Sequence, residues 1–177
     1  MKIILDSTQI RQKLDGLADN ILSENTKCGS FDIAVIGIRS RGEILANRLT
    51  EILSDKSQSE IPCGTLDITL YRDDLNSPQS YDQPEVRTTE IGFDINDKII
   101  ILVDDVLYTG RSTRAAMDAL IDLGRPKAIK LAVLIDRGGR EFPIQADYAG
   151  YKTDTEPGKK VLVSLTESDG KDEVVIE

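Results

Sequence analysis

The sequence predicts an α/β fold, a mostly parallel central sheet of four or five strands flanked by helices. Three observations lead there. Near-continuous apolar runs at 31–37 (FDIAVIG), 99–103 (IIILV) and 130–135 (KLAVLI) have the length and β-branched content of strands buried on both faces. Stretches with helical periodicity lie between and before them, the alternation that produces parallel sheets. Each run also ends in small polar and charged residues, at the carboxyl edge where α/β sheets bind ligands.

In chain order, residues 3–5 suit a short strand. Asp6 and Gln9 have the spacing of a capping box. Ile10, Leu14, Leu17, Ile21 and Leu22 then share one helical face, with Arg11, Asp15, Asp19 and Glu24 outside, to about Lys27. The strand at 31–37 runs into the turn Ile38-Arg39-Ser40-Arg41-Gly42 and a helix to about Leu53. Two arginines and the N–H groups opening a helix suit a pyrophosphate. Ser54 to Pro62 reads as a polar connection, and Leu66 to Tyr71 alternates like a strand. Arg72 to Arg87 is long and polar with Pro78 and Pro84, which predicts a functional or mobile loop, a lid.

The stretch 99–120, IIILVDDVLYTGRSTRAAMDAL, is central. A strand leads to Asp104 and Asp105, then to the turn Tyr108-Thr109-Gly110-Arg111-Ser112 and a helix burying Ala115, Ala116, Ala119 and Leu120. N–H groups at a helix start favour an anion, Gly110 allows close approach, and Thr109, Ser112 and Arg111 add donors. The acids would repel phosphate. They can accept hydrogen bonds from a vicinal diol or hold a hydrated Mg²⁺. A ligand with a phosphate at one end and ribose hydroxyls at the other fits both halves. Neither G-x-x-x-x-G-K-[ST] nor G-x-G-x-x-G occurs. Gly124 and Pro126 stop the helix. The strand at 130–135 delivers Asp136-Arg137-Gly138-Gly139-Arg140 to the same edge, Phe142 to Gly150 suits an irregular strand, and Val161–Leu165 and Val174–Ile176 suit closing strands around the turn Ser168-Asp169-Gly170.

Composition sets bounds. A chain of 177 residues is long enough for a core and predicts one domain, 1–177. A net charge of −9 argues against a generic polyanion binder. Cys28 and Cys63 lack CxxC spacing and no His occurs, which disfavours a zinc site and makes a reduced, cytoplasmic setting the default. MKIIL is too short for a signal sequence, and no apolar run reaches membrane-span length.

DDVLYTGRST, with LDITLYRDDL (66–75) before it and LAVLIDRGGREFPIQADYAG (131–150) after it, resembles the PyrR family. These are type I phosphoribosyltransferases that regulate pyrimidine operons and are also uracil phosphoribosyltransferases. The resemblance implies the type I fold, with a small hood and a flexible loop, and a reaction of uracil with PRPP (phosphoribosyl pyrophosphate) giving UMP and pyrophosphate with Mg²⁺. It implies that Arg39, Ser40 and Arg41 hold pyrophosphate, joined by Arg72 and Arg87 when the loop closes. It implies that Asp104 and Asp105 grip the ribose or Mg²⁺ waters, that Val106, Leu107 and Tyr108 contact substrate, and that Thr109, Gly110, Arg111 and Ser112 hold the 5′-phosphate. Arg137 would lie near the nucleotide and Val161 would contact it. Asp104, Asp105 and Arg41 are the expected catalytic residues. Purine enzymes of the superfamily carry an acid where Tyr108 stands, so Tyr108 favours a pyrimidine.

The resemblance also implies a homodimer or homotetramer and, as an alternative or second function, a UMP-responsive mRNA-leader-binding attenuator. The chain departs from the family at the RNA positions: Asp15, Gly16 and Asp19 stand where the first helix is typically Thr, Arg and His, Gly139 replaces a His, Gln145 an Arg and Tyr151 a Lys, while Arg140 and Lys152 remain. Carboxylates facing a phosphate backbone repel it, which puts the enzyme reading first.

Overall fold

The computed structural model describes residues 2–26, 32–73, 88–156 and 158–177. Arg87 and most of the expected lid (74–87) lie outside the described residues, as do Cys28 and Phe31.

The chain opens with β1 (Lys2–Leu5) and α1 (Ser7–Thr26). The capping box forms as spaced: Gln9 N–H donates to Asp6 Oδ1 at 2.8 Å, and Asp6 N–H to Gln9 Oε1 at 2.9 Å. There follow β2 (Ile33–Ile38), α2 (Arg41–Ser57) and β3 (Cys63–Leu66), then a 3-10 turn at Thr69–Tyr71. Next come β4 (Ile99–Leu107), α3 (Arg111–Leu123) and β5 (Ala128–Asp136). The chain ends with β6 (Tyr148–Lys152), β7 (Val161–Ser164), the single turn α4 (Thr166–Asp169) and β8 (Glu173–Ile176).

Strands β3-β2-β4-β5-β6 form a five-stranded sheet, parallel throughout. Alternate residues of the central strands face opposite layers. Ile33, Val35, Ile101 and Val103 pack with Leu14, Leu17, Leu45 and Leu49 of α1 and α2. Ala34, Ile36, Ile100 and Leu102 pack with Ala116 and Leu120 of α3. Both faces are covered, which is why these strands read as unbroken apolar runs. A separate antiparallel sheet, β1-β8-β7, joins the two chain ends.

Four expectations change. Helix α2 continues to Ser57 and is capped by Gln58 at φ 52°, so half of the expected polar connection is helical. Leu66 to Tyr71 is the end of β3 and a 3-10 turn, because Asp67 Oδ1 accepts the N–H and hydroxyl of Thr69 and bends the chain. The irregular strand expected from Phe142 begins only at Tyr148. Asp104 and Asp105 lie within β4 rather than beyond it.

Candidate active site

The strand order sets the carboxyl ends of β3, β2, β4 and β5 side by side. Between them is a cavity of about 290 Å³. Arg39, Ser40 and Arg41 line it from the β2–α2 turn, and Asp67, Thr69 and Arg72 from the exit of β3. Asp104, Asp105 and Val106 enter from β4, and Ser112 from the first turn of α3. Larger clefts, such as one of about 490 Å³ beside Asp136 and Lys152, lack the acid pair.

Close packing places these groups. A Cβ on Gly37 would meet the Gly42 carbonyl oxygen at 2.5 Å, and one on Gly42 would meet the Val103 carbonyl oxygen at 2.6 Å. Without side chains at both positions, the start of α2 presses against β2 and β4, and the arginine turn comes beside the acids.

Each acid uses one oxygen on its neighbour's backbone. Asp105 N–H donates to Asp104 Oδ1 at 2.9 Å, and Val106 N–H to Asp105 Oδ1 at 2.8 Å. Burial, with the adjacent Asp105 carboxylate, holds the Asp104 carboxyl well above the usual carboxylate range. A cation or hydroxyl donors arriving here would favour its charged form. Among the described residues no cluster of three or more His, Cys, Asp or Glu could cage a metal ion.

The arginines are held by carboxylates. Arg39 pairs with Glu90 at 3.1 Å and Glu43 at 3.5 Å, and Arg41 with Asp169 at 3.0 Å. The Nε atoms of both are buried without a partner. The peptide between Arg39 and Ser40 is cis.

The N-cap of α3 is Gly110, at φ 89°, which has no side chain to cap the helix with. Thr109 Oγ1 accepts Arg111 N–H at 3.3 Å. The Arg111 guanidinium turns away from the cavity to Glu141 and Asp73 and lies 5.2 Å from the Phe142 ring centroid.

Tyr108 and Arg137 form a second group. The Arg137 guanidinium lies 4.1 Å from the Tyr108 ring centroid and donates to the Lys159 carbonyl at 2.8 Å. Leu107 is buried, and its carbonyl accepts Arg137 N–H at 3.1 Å. Val161 begins β7 two residues beyond Lys159, with its side chain in the core.

Sequence reasoning missed Asp67 and Asp169, and it kept Arg140 among the basic RNA positions that remain. Arg140 donates to the carbonyls of Ile144 at 2.9 Å, Tyr108 at 2.9 Å and Gly138 at 3.1 Å, and it pairs with Asp136. It bolts the loop after β5 to the exit of β4. The Asp-x-Thr turn was a readable signal for Asp67.

A family model described as phosphoribosyl transferase domain matches residues 1–167. A protein of Pelotomaculum thermopropionicum named Bifunctional protein PyrR is 51% identical, covering 98% of this chain and 93% of its own. One of the same name from Deinococcus radiodurans is 52% identical over 96% of this chain and 90% of its own. The chain belongs to the PyrR family of phosphoribosyltransferases. Among solved structures, a hypoxanthine phosphoribosyltransferase of Trypanosoma cruzi matches with TM-score 0.73 and 19% identity, covering 99% of this chain and 95% of its own. A hypoxanthine-guanine phosphoribosyltransferase of Bacillus anthracis matches with TM-score 0.70 and 18% identity, over 98% and 96%. At such identities these two show the type I fold alone.

Proposed function

We propose that this protein is a uracil phosphoribosyltransferase, converting uracil and PRPP to UMP and pyrophosphate. The observation that carries the reading is the cavity, with Asp104 and Asp105 on one wall and Arg39, Ser40 and Arg41 on the other. The start of α3, with glycine as its N-cap, lies beside it and lends Ser112 to the lining.

The bond from the anomeric carbon to pyrophosphate breaks, one to a uracil nitrogen forms, and that nitrogen's proton leaves to solvent. Positive charge builds on the ribose, so no protein nucleophile is needed and catalysis rests on positioning and charge. Asp104 and Asp105 hold the ribose hydroxyls. Backbone N–H groups of 109–112 and the Ser112 hydroxyl take the 5′-phosphate, joined by Arg111 once its carboxylates yield. Arg39 and Arg41, with Arg72 and Arg87, take the pyrophosphate. Arg137 and the backbone near Val161 meet the base.

The acid pair suits Mg²⁺ brought with PRPP, since that ion is commonly held by one or two carboxylates plus substrate phosphates. When bound, Mg²⁺ neutralises the departing pyrophosphate. We place the reaction in the cytoplasm, in keeping with the chain's cysteine usage; no helix of the described residues is long and apolar enough to cross a membrane. We also propose a homodimer or homotetramer; Leu70, Ile121 and Leu123 are large apolar side chains exposed on this chain. The test is UMP formation from uracil, PRPP and Mg²⁺. No product from folded protein would end the proposal.

The relatives' name, bifunctional, favours a second role as an mRNA-leader attenuator. The enzyme stays first because Lys56 on α2 is held between Asp15 and Asp19, at 3.1 and 2.7 Å, and Arg140 is engaged internally. UMP-enhanced binding of its own pyrimidine-gene leader RNA, above that of scrambled RNA, would establish the second role. Equal binding of both would leave the enzyme alone.

A further inference from the structure

We infer that Asp169 is a positioning residue for the pyrophosphate end of the site, acting through Arg41; this rests on the function proposed above. Arg41 opens α2 and lines the cavity, and its side chain is 39% exposed. A long side chain left free in solvent gives up rotamer freedom when a phosphate fixes it. Arg41 has given up part of that freedom already, since Nη2 donates to Asp169 Oδ1 at 3.0 Å. Among the described residues Asp169 is its one ion-pair partner. The bond uses one guanidinium donor and leaves the others to a phosphate. Asp169 is not part of the cavity lining, so it holds Arg41 from behind rather than facing the substrate.

Asp169 is itself fixed. Its Oδ2 accepts Leu165 N–H at 3.0 Å and the Ser168 hydroxyl at 2.6 Å, which leaves Oδ1 for Arg41. The turn that carries it is pinned to the same helix. Arg48 donates to Glu167 at 2.8 Å and to Asp172 at 2.7 and 2.8 Å, and Asp172 Oδ1 accepts the N–H and hydroxyl of Thr166. Support therefore runs from Arg48 through the turn at 165–172 to Asp169, and from there to Arg41. A surface pair between two mobile side chains orders little, but here one partner is rigid. Asp169→Asn breaks this link without changing shape. The amide keeps its oxygen on Leu165 N–H and the Ser168 hydroxyl, which turns its NH2 toward Arg41, donor against donor. Arg41 then loses its single orientation at the cavity.

PRPP binding with Mg²⁺ and without uracil is measured by titration calorimetry, and UMP formation at saturating PRPP by steady-state kinetics. The proteins are the unmodified chain, Asp169→Asn, Glu167→Gln, Arg41→Met and the double variant Asp169→Asn/Arg41→Met. Asp169→Asn is expected to raise the Kd for PRPP about tenfold, with the KM for uracil within about twofold. Glu167→Gln removes one hold of Arg48 on the same turn and shares the loss in Tm, but it leaves Arg41 paired and the PRPP Kd within about twofold. With Arg41 already removed, adding Asp169→Asn changes the PRPP Kd by less than about twofold. Should Asp169→Asn fail to fold, Ser168→Ala takes its place; it drops one of the two donors that hold Oδ2, and a rise of about threefold in the PRPP Kd is expected. An unchanged or tighter PRPP Kd in the variant at 169 (or its replacement at 168), an equal loss of uracil, an equal rise in Glu167→Gln, or a further rise in the double variant overturns the inference, while UMP formation by the unmodified protein leaves the proposed function standing. No UMP from the unmodified protein removes that function, and this inference with it.

Discussion

The arginines on the two sides of the site are kept in opposite ways. On the phosphate side, Arg39, Arg41 and Arg111 each hold a carboxylate, and their side chains are 17%, 39% and 47% exposed. On the base side, Arg137 is nearly buried and has a carbonyl and a ring instead. The difference follows from what each side is proposed to receive. Phosphates bring their own negative charge, so they can replace or share a half-exposed counterion at modest cost. Uracil is neutral, and the groups it offers a guanidinium are carbonyl oxygens. A carboxylate beside Arg137 would repel them and would compete for the same donors, so the guanidinium has no carboxylate among the described residues, whereas a partnerless Nε is common to Arg39, Arg41 and Arg137.

Asp105→Asn tests the frame that both sides share. It keeps the shape and the bond from Val106 N–H, and removes charge at the expected ribose or Mg²⁺ position. A loss of about 10²–10³ in kcat/KM is expected, with little change in Tm. Near-normal UMP formation by this variant would break the assignment of the acid pair.

Arg137→Met separates the sides. It should raise the KM for uracil roughly 30-fold, the worth of a charged hydrogen bond made in a buried site, and leave PRPP affinity nearly unchanged. Its Tm should hold or rise, because a buried cation without a counterion has been replaced by an apolar chain. Arg41→Met should do the reverse, weakening pyrophosphate and sparing uracil. Equal damage to both substrates by either variant would mean that the two regions are not separate.

The strands and the acid pair were legible because both signals are local. Unbroken β-branched runs come from a sheet covered on both faces, and Asp104 and Asp105 interrupt one of them abruptly. The end of α2 was not legible: after Leu53 its residues face outward, and its cap is Gln58 rather than Gly. The turn at Thr69 was hidden because Leu66 to Tyr71 alternates, while the bond from Asp67 that bends it is a matter of side-chain geometry. The Tyr108–Arg137 stack depends on register between strands far apart in sequence. Asp169 was out of reach for the same reason, since it meets Arg41 only once the C-terminal turn lies along α2.

That turn supplies the mildest test of the contrast, one made by acid. Arg41 and Arg48 are seven residues apart on one face of α2, and both grip 165–172. The hydrogen bonds from Arg48 hold Asp172 at about 2, down from an ordinary 3.8. Asp169 is lowered too, first by the Ser168 hydroxyl, then by Leu165 N–H, with Arg41 adding to it. A carboxylate lowered on folding contributes stability that is full above its unfolded value and lost as pH falls through the folded one. Asp172 should therefore contribute roughly 1–2 kcal/mol above pH 4, fading toward pH 2. Arg137 is held by a carbonyl and a ring rather than by a carboxylate, so the base side should not loosen with it. Urea unfolding of the unmodified protein and of Arg48→Gln, compared between pH 6 and 2.5, reads the effect as a gap that closes on acidification. A gap that stays constant to pH 2.5 would mean that the turn is not held by this pair, and that the phosphate side is no more sensitive to acid than the base side.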